Sequence, residues 1–310
     1  MNGGLAIETT ALAKRFGAVE AVAGIDLRVP IGSVFGFLGP NGAGKTTTIR
    51  MLVGLMRPTR GGALVLGSPV RPGATDLDGV GALVERPAFY PYLTARDNLR
   101  LLAITRGARD AEARRLADEA LERTGLTEVA GRKVGGFSTG MRQRLGLAVA
   151  MLHRPRLVIL DEPTNGLDPS GVVEVRRLIG GLARDGATVF LSSHVLTEVE
   201  QLCDRVAILR RGRVVADGSP LELLAGSGSI SVRFDDPAAA QAAVAALGAE
   251  GIAASTPAPD AADTLVVRLP ADEGSRVSRL LAGAGLYPSE LTPKRRTLED
   301  AFLELTRDEP

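Results

Sequence analysis

Apolar residues follow two rhythms in this chain, one near-continuous or of period two and one of helical spacing, and they alternate up to about residue 215. Leu5–Leu12 and Ala21–Val29 form an opening pair of apolar runs with Gly17 between them, and SVFGFLG is an apolar strand that ends in glycine. A helix is predicted from Lys45 to about Leu55, and GGALVLG reads as a strand between glycine turns. From about Leu99 to Leu152 the spacing is helical; DAEARRLADEALERTG carries Ala and Leu at helical intervals and stops at Gly. RLVILDEP and GATVFLSS are short, almost wholly apolar strands of the kind buried on both faces of a parallel sheet. RVAILRRGRVVADG reads as a hairpin. Strands alternating with helices predict an α/β sheet, and the helical block, about 86–153, reads as a subdomain inserted into it.

The rhythm restarts after AGSGS, residues 225–229. ISVRF is a strand, DDPAAAQAAVAALG a helix with Asp before Pro at its start, GIAAS and TLVVRL are strands, and EGSRVSRLLAGAG is a helix. LYPSELT reads as a fourth strand, LEDAFLELTR as a last helix and TPAPDAAD as an exposed loop. The order β-α-β-β-α-β is that of a small ferredoxin-like α/β domain. The expected division is therefore 1–224 and 229–310.

Composition narrows the classes. With 45% hydrophobic and 24% charged residues the chain is globular rather than disordered. A net charge of +1 supplies no field that would draw it to nucleic acid. No segment approaches the roughly 20 apolar residues that span a bilayer, and MNGGLAIETT lacks the pattern of a secretory leader, so a cytoplasmic chain is expected. Two histidines and one cysteine argue against a His/Cys metal site. Cys203 reads as a small buried residue and His153 as a solvated helix-end histidine.

The chemistry begins at Gly39. GPNGAGKT, residues Gly39, Pro40, Asn41, Gly42, Ala43, Gly44, Lys45 and Thr46, fits the spacing of a phosphate-binding loop between a strand and a helix. Small residues let backbone N–H groups approach phosphate, and the following helix, through Thr47, presents its positive end. Lys45 is expected to reach the β- and γ-phosphates of ATP, and Thr46 to ligate Mg²⁺. Asp161 and Glu162 follow the apolar run LVIL; the first is suited to hold Mg²⁺ and the second to act as general base on the attacking water.

With these motifs in that order, the chain resembles the nucleotide-binding subunits of ABC transporters over almost its whole length. FSTGMRQRLGLAVAM from Phe137 is similar to the family's signature segment, PTNGLDP to the loop that carries signals between paired ATP sites, and His194 in LSSHVLTEVE to its switch histidine. Phe16 in KRFGAVEAV stands where the family stacks an aromatic ring on adenine. The resemblance implies a P-loop NTPase core of the RecA-like kind, a head-to-tail homodimer, and contacts from Ser138 and Gly140 to the γ-phosphate held by the partner copy. It also implies an integral-membrane permease as partner, with this chain peripheral on the inner face of the membrane. The carboxyl-terminal extension resembles that of bacterial drug, antibiotic and bacteriocin exporters.

Two departures stand out. The signature reads FSTGM where the common form is LSGGQ, and Glu85 stands where most of the family has glutamine near Mg²⁺ and the attacking water. Glutamate still offers oxygen to the metal but, when ionised, donates no hydrogen bond. Phe89, Tyr90 and Tyr92 suit either packing in the helical subdomain or docking of a short permease helix. The competing class, a soluble ABC-type ATPase acting on ribosome or DNA, brings two nucleotide domains or long coiled coils, and this chain has one phosphate loop and no sustained heptads.

Overall fold

The structure is a computed structural model that describes residues 4–73, 77–85, 88–224, 228–256, 261–295, 297–300 and 302. The chain divides into two compact units, Met1–Pro220 and Leu221–Pro310.

In the first unit, β1 (Leu5–Phe16), β2 (Val19–Ile25), β3 (Arg28–Pro30), β5 (Arg60–Val65) and β6 (Ser68–Pro69) make an antiparallel sheet in which β1 pairs with β2, β3 and β5. The second apolar run is thus two strands rather than one. Thr9 explains the split: its hydroxyl donates to Ile25 O and accepts from Leu27 N, both at 2.8 Å. Asp26 accepts from Ala11 N at 2.7 Å. The break is bridged by the Thr9 side chain of the neighbouring strand and by Asp26 within the break itself, so it leaves no trace in the apolar pattern.

The second sheet has the order β11-β10-β4-β9-β8-β7, with β4 (Val34–Leu38), β7 (Val80–Leu83), β8 (Leu157–Leu160), β9 (Thr188–Ser193), β10 (Arg205–Arg210) and β11 (Arg213–Gly218). All neighbours are parallel except the hairpin β10–β11. Arg211 and Gly212, both at positive φ, make its two-residue turn. β4, β8 and β9 are buried at every position, as strands covered on both faces are, and in β9 this includes the polar Thr188, Ser192 and Ser193. In register Leu38 faces Ser193 and Leu83 faces Leu160. The strands' carboxyl ends therefore open on one edge, where ligands bind α/β sheets.

α1 (Lys45–Leu52) leaves β4, α5 (Pro169–Arg184) leaves the turn after β8, and α6 (Leu196–Leu202) leaves β9. α1 stops short of the predicted Leu55 because Gly54 turns left-handed at φ 74. Between β7 and β8 lie α2 (Ala95–Thr105), α3 (Asp110–Arg123) and α4 (Thr139–Met151), which share a core built on Leu99, Leu116, Leu121, Phe137 and Leu145. Thr94 and Ser138 cap α2 and α4.

Cys203 is buried against Gly36, and burial pushes its thiol pKa up. His153 is not solvated as expected. It is half-buried, its Nε2 has no hydrogen-bond partner among the described residues, and burial with Arg106 nearby lowers its pKa. No helix among the described residues is long and apolar enough to cross a membrane.

The second unit follows the short α7 (Pro220–Leu224). It contains β12 (Gly228–Arg233), α8 (Pro237–Ala249), β13 (Ala254–Ser255), β14 (Thr264–Val267), α9 (Gly274–Gly283) and β15 (Glu290–Arg295). The sheet order β13-β14-β12-β15, antiparallel throughout, is the ferredoxin-like arrangement. Ile230, Val232, Leu265 and Val267 turn inward with Leu247, Val277 and Leu281 from the helices. The fourth strand starts at Glu290 rather than at Leu286, because Gly285 (φ 73) and Leu286, whose N–H bonds Leu281 O at 2.9 Å, close α9. Residues 225–227 of AGSGS, 257–260 of TPAPDAAD, and most of the closing helix predicted for LEDAFLELTR lie outside the described residues.

Candidate active site

The phosphate loop leaves the buried end of β4. Side chains at Gly39 and Gly44 would collide with Leu209 O and Ala21 O, at 2.8 and 2.5 Å. Gly42, at φ 82, has nothing within 4 Å of where a Cβ would stand. The two packed glycines hold the loop against the fold, and the open one leaves backbone accessible. α1 begins at Lys45, so its first N–H groups point into the loop without helical partners. Thr46 and Thr47 are half-buried, and Thr48 donates to Gly44 O at 2.9 Å. Pro40 and Asn41 are exposed, and Ala43 is buried.

Lys45 is only 6% exposed. Its ammonium donates to Gly39 O at 2.6 Å and Pro40 O at 3.3 Å, and lies 3.2 Å from Glu162 Oε1. A buried cation is tolerated because every direction it points in holds oxygen. Phosphate oxygens can take over those same bonds.

The acidic pair leaves β8 at the same edge. Asp161, 7% exposed, is anchored through its N–H to Leu83 O at 2.8 Å. Ser192 of β9 joins the two acids, donating to Asp161 Oδ1 at 2.6 Å and accepting from Glu162 N at 2.9 Å. Glu162 has φ 48, a left-handed backbone that costs a non-glycine residue about 1–3 kcal/mol and must be held by its surroundings. That turn accompanies a carboxylate shared between Lys45 and His194, whose Nδ1 lies 2.6 Å from Glu162 Oε2. An ionised carboxylate only accepts, so the contact is a hydrogen bond in the tautomer that carries its proton on Nδ1.

Glu85 sits just after β7, also in a left-handed conformation (φ 64). Its largely exposed carboxylate pairs with Arg50 in the last turn of α1. Phe16 ends β1 half-exposed, with Lys14 Nζ 5.2 Å from its ring centroid. Ser138 caps α4, accepting from Met141 N at 3.2 Å, and Gly140 has only Leu167 Cδ2, at 4.0 Å, near its missing side chain. Phe89 packs on the core of the helical block, whereas Tyr90 and Tyr92 are exposed with ring centroids 5.8 Å apart. Lys45, Asp161, Glu162 and His194 therefore meet through direct bonds or the shared Ser192; Ser138 and Gly140 lie on the inserted block and Glu85 faces Arg50.

These features match known proteins. Residues 22–165 fit the family model described as ABC transporter. The chain is 40% identical over 309 residues to the daunorubicin resistance ATP-binding protein DrrA3 of Streptomyces coeruleorubidus, spanning 98% of this chain and 96% of that protein. The chain belongs to the ABC transporter ATP-binding proteins. It is also 48% identical over 213 residues to the bacitracin transport ATP-binding protein BcrA of Bacillus licheniformis, covering 68% and 69% of the two chains. Among solved structures, a dimeric ATP-binding cassette in a post-hydrolysis state with ADP and Pi aligns at TM-score 0.61 and 26% identity, over 69% of this chain and 98% of that one. As an ABC ATP-binding chain, this protein binds and hydrolyses ATP.

Four contacts in this ABC chain escaped the sequence reading: Ser192 between the acids, Arg50 on Glu85, Gln143 Nε2 donating to Pro163 O at 2.7 Å, and Thr164 donating to Glu198 at 2.8 Å. Only Ser192 had a signal, a serine pair closing an otherwise apolar strand.

Proposed function

We propose that this chain is the ATP-hydrolysing subunit of an exporter of a drug, antibiotic or peptide, and that it drives a separate integral-membrane permease. The observation that carries the reading is the junction of Lys45, Glu162 and His194. A phosphate-loop lysine, a carboxylate and an imidazole in contact at the mouth of a parallel sheet can bind a triphosphate and take a proton from the water that attacks it. In this reading Lys45 neutralises the β- and γ-phosphate oxygens, Glu162 is the general base, and His194 keeps the Glu162 carboxylate turned toward the water. Phe16 stacks on adenine.

The residues present fit Mg²⁺ as well. No group of three or more His, Cys, Asp and Glu side chains able to hold a metal occurs among the described residues, so an ion held here would draw most of its oxygens from the nucleotide and water. Thr46 and Asp161 would hold it, with Glu85 as a further oxygen once released from Arg50. When bound, Mg²⁺ supplies charge neutralisation across the phosphates.

Two copies act head to tail, with Ser138 and the Gly140 N–H facing the γ-phosphate of the partner's ATP. The exposed start of α4 and the dimeric relative bound to ADP and Pi support this arrangement. Exposed Tyr90 and Tyr92 suit docking of a permease segment on the cytoplasmic face of the membrane. The near-neutral charge supports a reading without nucleic acid. The test is co-purification of the full chain with a polytopic membrane protein, followed by ATPase assay of both in liposomes. Stimulation by that protein is expected; activation by ribosomes or DNA instead contradicts the proposal.

A further inference from the structure

The turn after Glu162 is gripped from two sides by side chains outside the Lys45–Glu162–His194 junction. From α4, Gln143 donates to Pro163 O at 2.7 Å. From α6, Glu198 Oε2 accepts the Thr164 hydroxyl at 2.8 Å. Glu198 stands four residues after His194, in the first turn of α6. The segment carrying Glu162 and the segment carrying His194 are therefore joined twice, once by the carboxylate and imidazole themselves and once by Thr164 and Glu198.

The second tie has the better footing. Thr164 and Glu198 are both half-buried, whereas the His194 side chain is 44% exposed. A hydroxyl donating to an ionised carboxylate is a charge-assisted bond. α6 is itself seated firmly: Val199 is fully buried and its Cγ1 lies 2.7 Å from where a Cβ on Gly36 would stand. At its start Val195 N donates to Ser193 Oγ at 2.9 Å. With α6 fixed on the sheet, the bond from Glu198 fixes Thr164, and through it the turn that gives Glu162 its left-handed backbone.

We propose that Thr164 and Glu198 are a positioning pair that sets the geometry between Glu162 and the His194 ring. The proposal rests on the reading of Glu162 and His194 as the hydrolytic pair. Because Gln143 holds the same turn from α4, a shift of the helix that begins at Ser138 reaches Glu162 and His194 through Pro163, Thr164 and Glu198.

The experiment compares the full-length chain with Glu198→Ala, Thr164→Val, Thr164→Ser and the Glu198→Ala/Thr164→Val double variant. Steady-state ATPase gives kcat and KM separately, and ring ¹H–¹⁵N spectra follow the two histidines of the chain. Each single loss is expected to lower kcat about tenfold, as a misplaced reacting group does, with KM within about twofold. The double variant should be no slower than the worse single one, since both remove one bond. Thr164→Ser, which keeps the hydroxyl, should recover the turnover lost in Thr164→Val. The His194 ring signals should move while those of His153 stay. Unchanged turnover in both single variants, losses that multiply in the double variant, or slower turnover with His194 unmoved would each overturn the proposal. So would a loss in which both histidines shift together, because the effect would then lie in the fold. Near-normal turnover of Glu162→Gln would instead sink the hydrolytic pair itself, which keeps the two failures distinct.

Discussion

Lys45 Nζ lies 3.2 Å from Glu162 Oε1, so the phosphate loop and the end of β8 are joined by an ion pair at the point where a γ-phosphate is expected to sit. The pair is screened from water on the lysine side, since Lys45 is buried and Glu162 mostly so. Lys45→Ala removes the lysine ammonium that lies against the Glu162 carboxylate. Turnover is expected to fall about 10²–10³-fold, the cost of losing one preorganised charge partner of the transition state. ATPase assay of the folded variant checks this; a fall of less than about tenfold would show that the loop binds phosphate without its lysine.

A composite site predicts behaviour that no monomeric site shows. Ser138 caps α4 on the inserted helical block, apart from the bonds that join Lys45, Asp161 and Glu162. Mixing Lys45→Ala subunits with Ser138→Arg subunits should form dimers with one doubly damaged site and one intact site. Some activity should therefore reappear on mixing two variants that are inactive alone. Activity that stays at the level of the separate variants contradicts the shared site.

Glu85 is held by Arg50, yet it leaves β7 at the edge that carries Asp161. Moving a carboxylate from an arginine to Mg²⁺ exchanges one cation for another, so its use should depend on metal concentration. Glu85→Gln is expected to leave hydrolysis intact but to change its Mg²⁺ dependence. Superimposable Mg²⁺ titrations of the two forms, in the presence of the permease, would remove Glu85 from the metal.

Where the physics was local, the sequence was readable. The phosphate loop, the buried strands β4, β8 and β9 and the Ser138 cap depend on residues within a few positions of each other. The split between β2 and β3 depends on Thr9 and Asp26 bonding across the sheet, and the apolar run through Leu27 hides it. The site followed the same division. Lys45, Asp161 and Glu162 were marked by motif, but Ser192 binds Asp161 from 31 residues away and Arg50 binds Glu85 from 35, separations at which residue spacing carries no information. His153 was misread because its burial comes from its surroundings in the fold, where Arg106 is one of the groups that lower its pKa.

The second unit has its own four-stranded sheet and its own core, and the phosphate loop and acidic pair lie in the first. A chain ending near residue 225 should fold and bind ATP with an affinity within a few-fold of the full chain, since no residue of the proposed site is removed. Equilibrium nucleotide binding and circular dichroism check this. A folded truncation without nucleotide binding would show that the first unit depends on the second.

Hydrolysis by Glu162 is the central claim, and Glu162→Gln tests it most directly because the amide keeps the shape and removes the base. The measurement is single-turnover ATP cleavage alongside equilibrium ATP binding, on the same preparation. Cleavage is expected to slow by about 10²–10⁴-fold, the usual share of a general base, while ATP binding is retained and the ATP-bound dimer lives longer. Cleavage within a few-fold of the unaltered chain would contradict the account and place the base elsewhere.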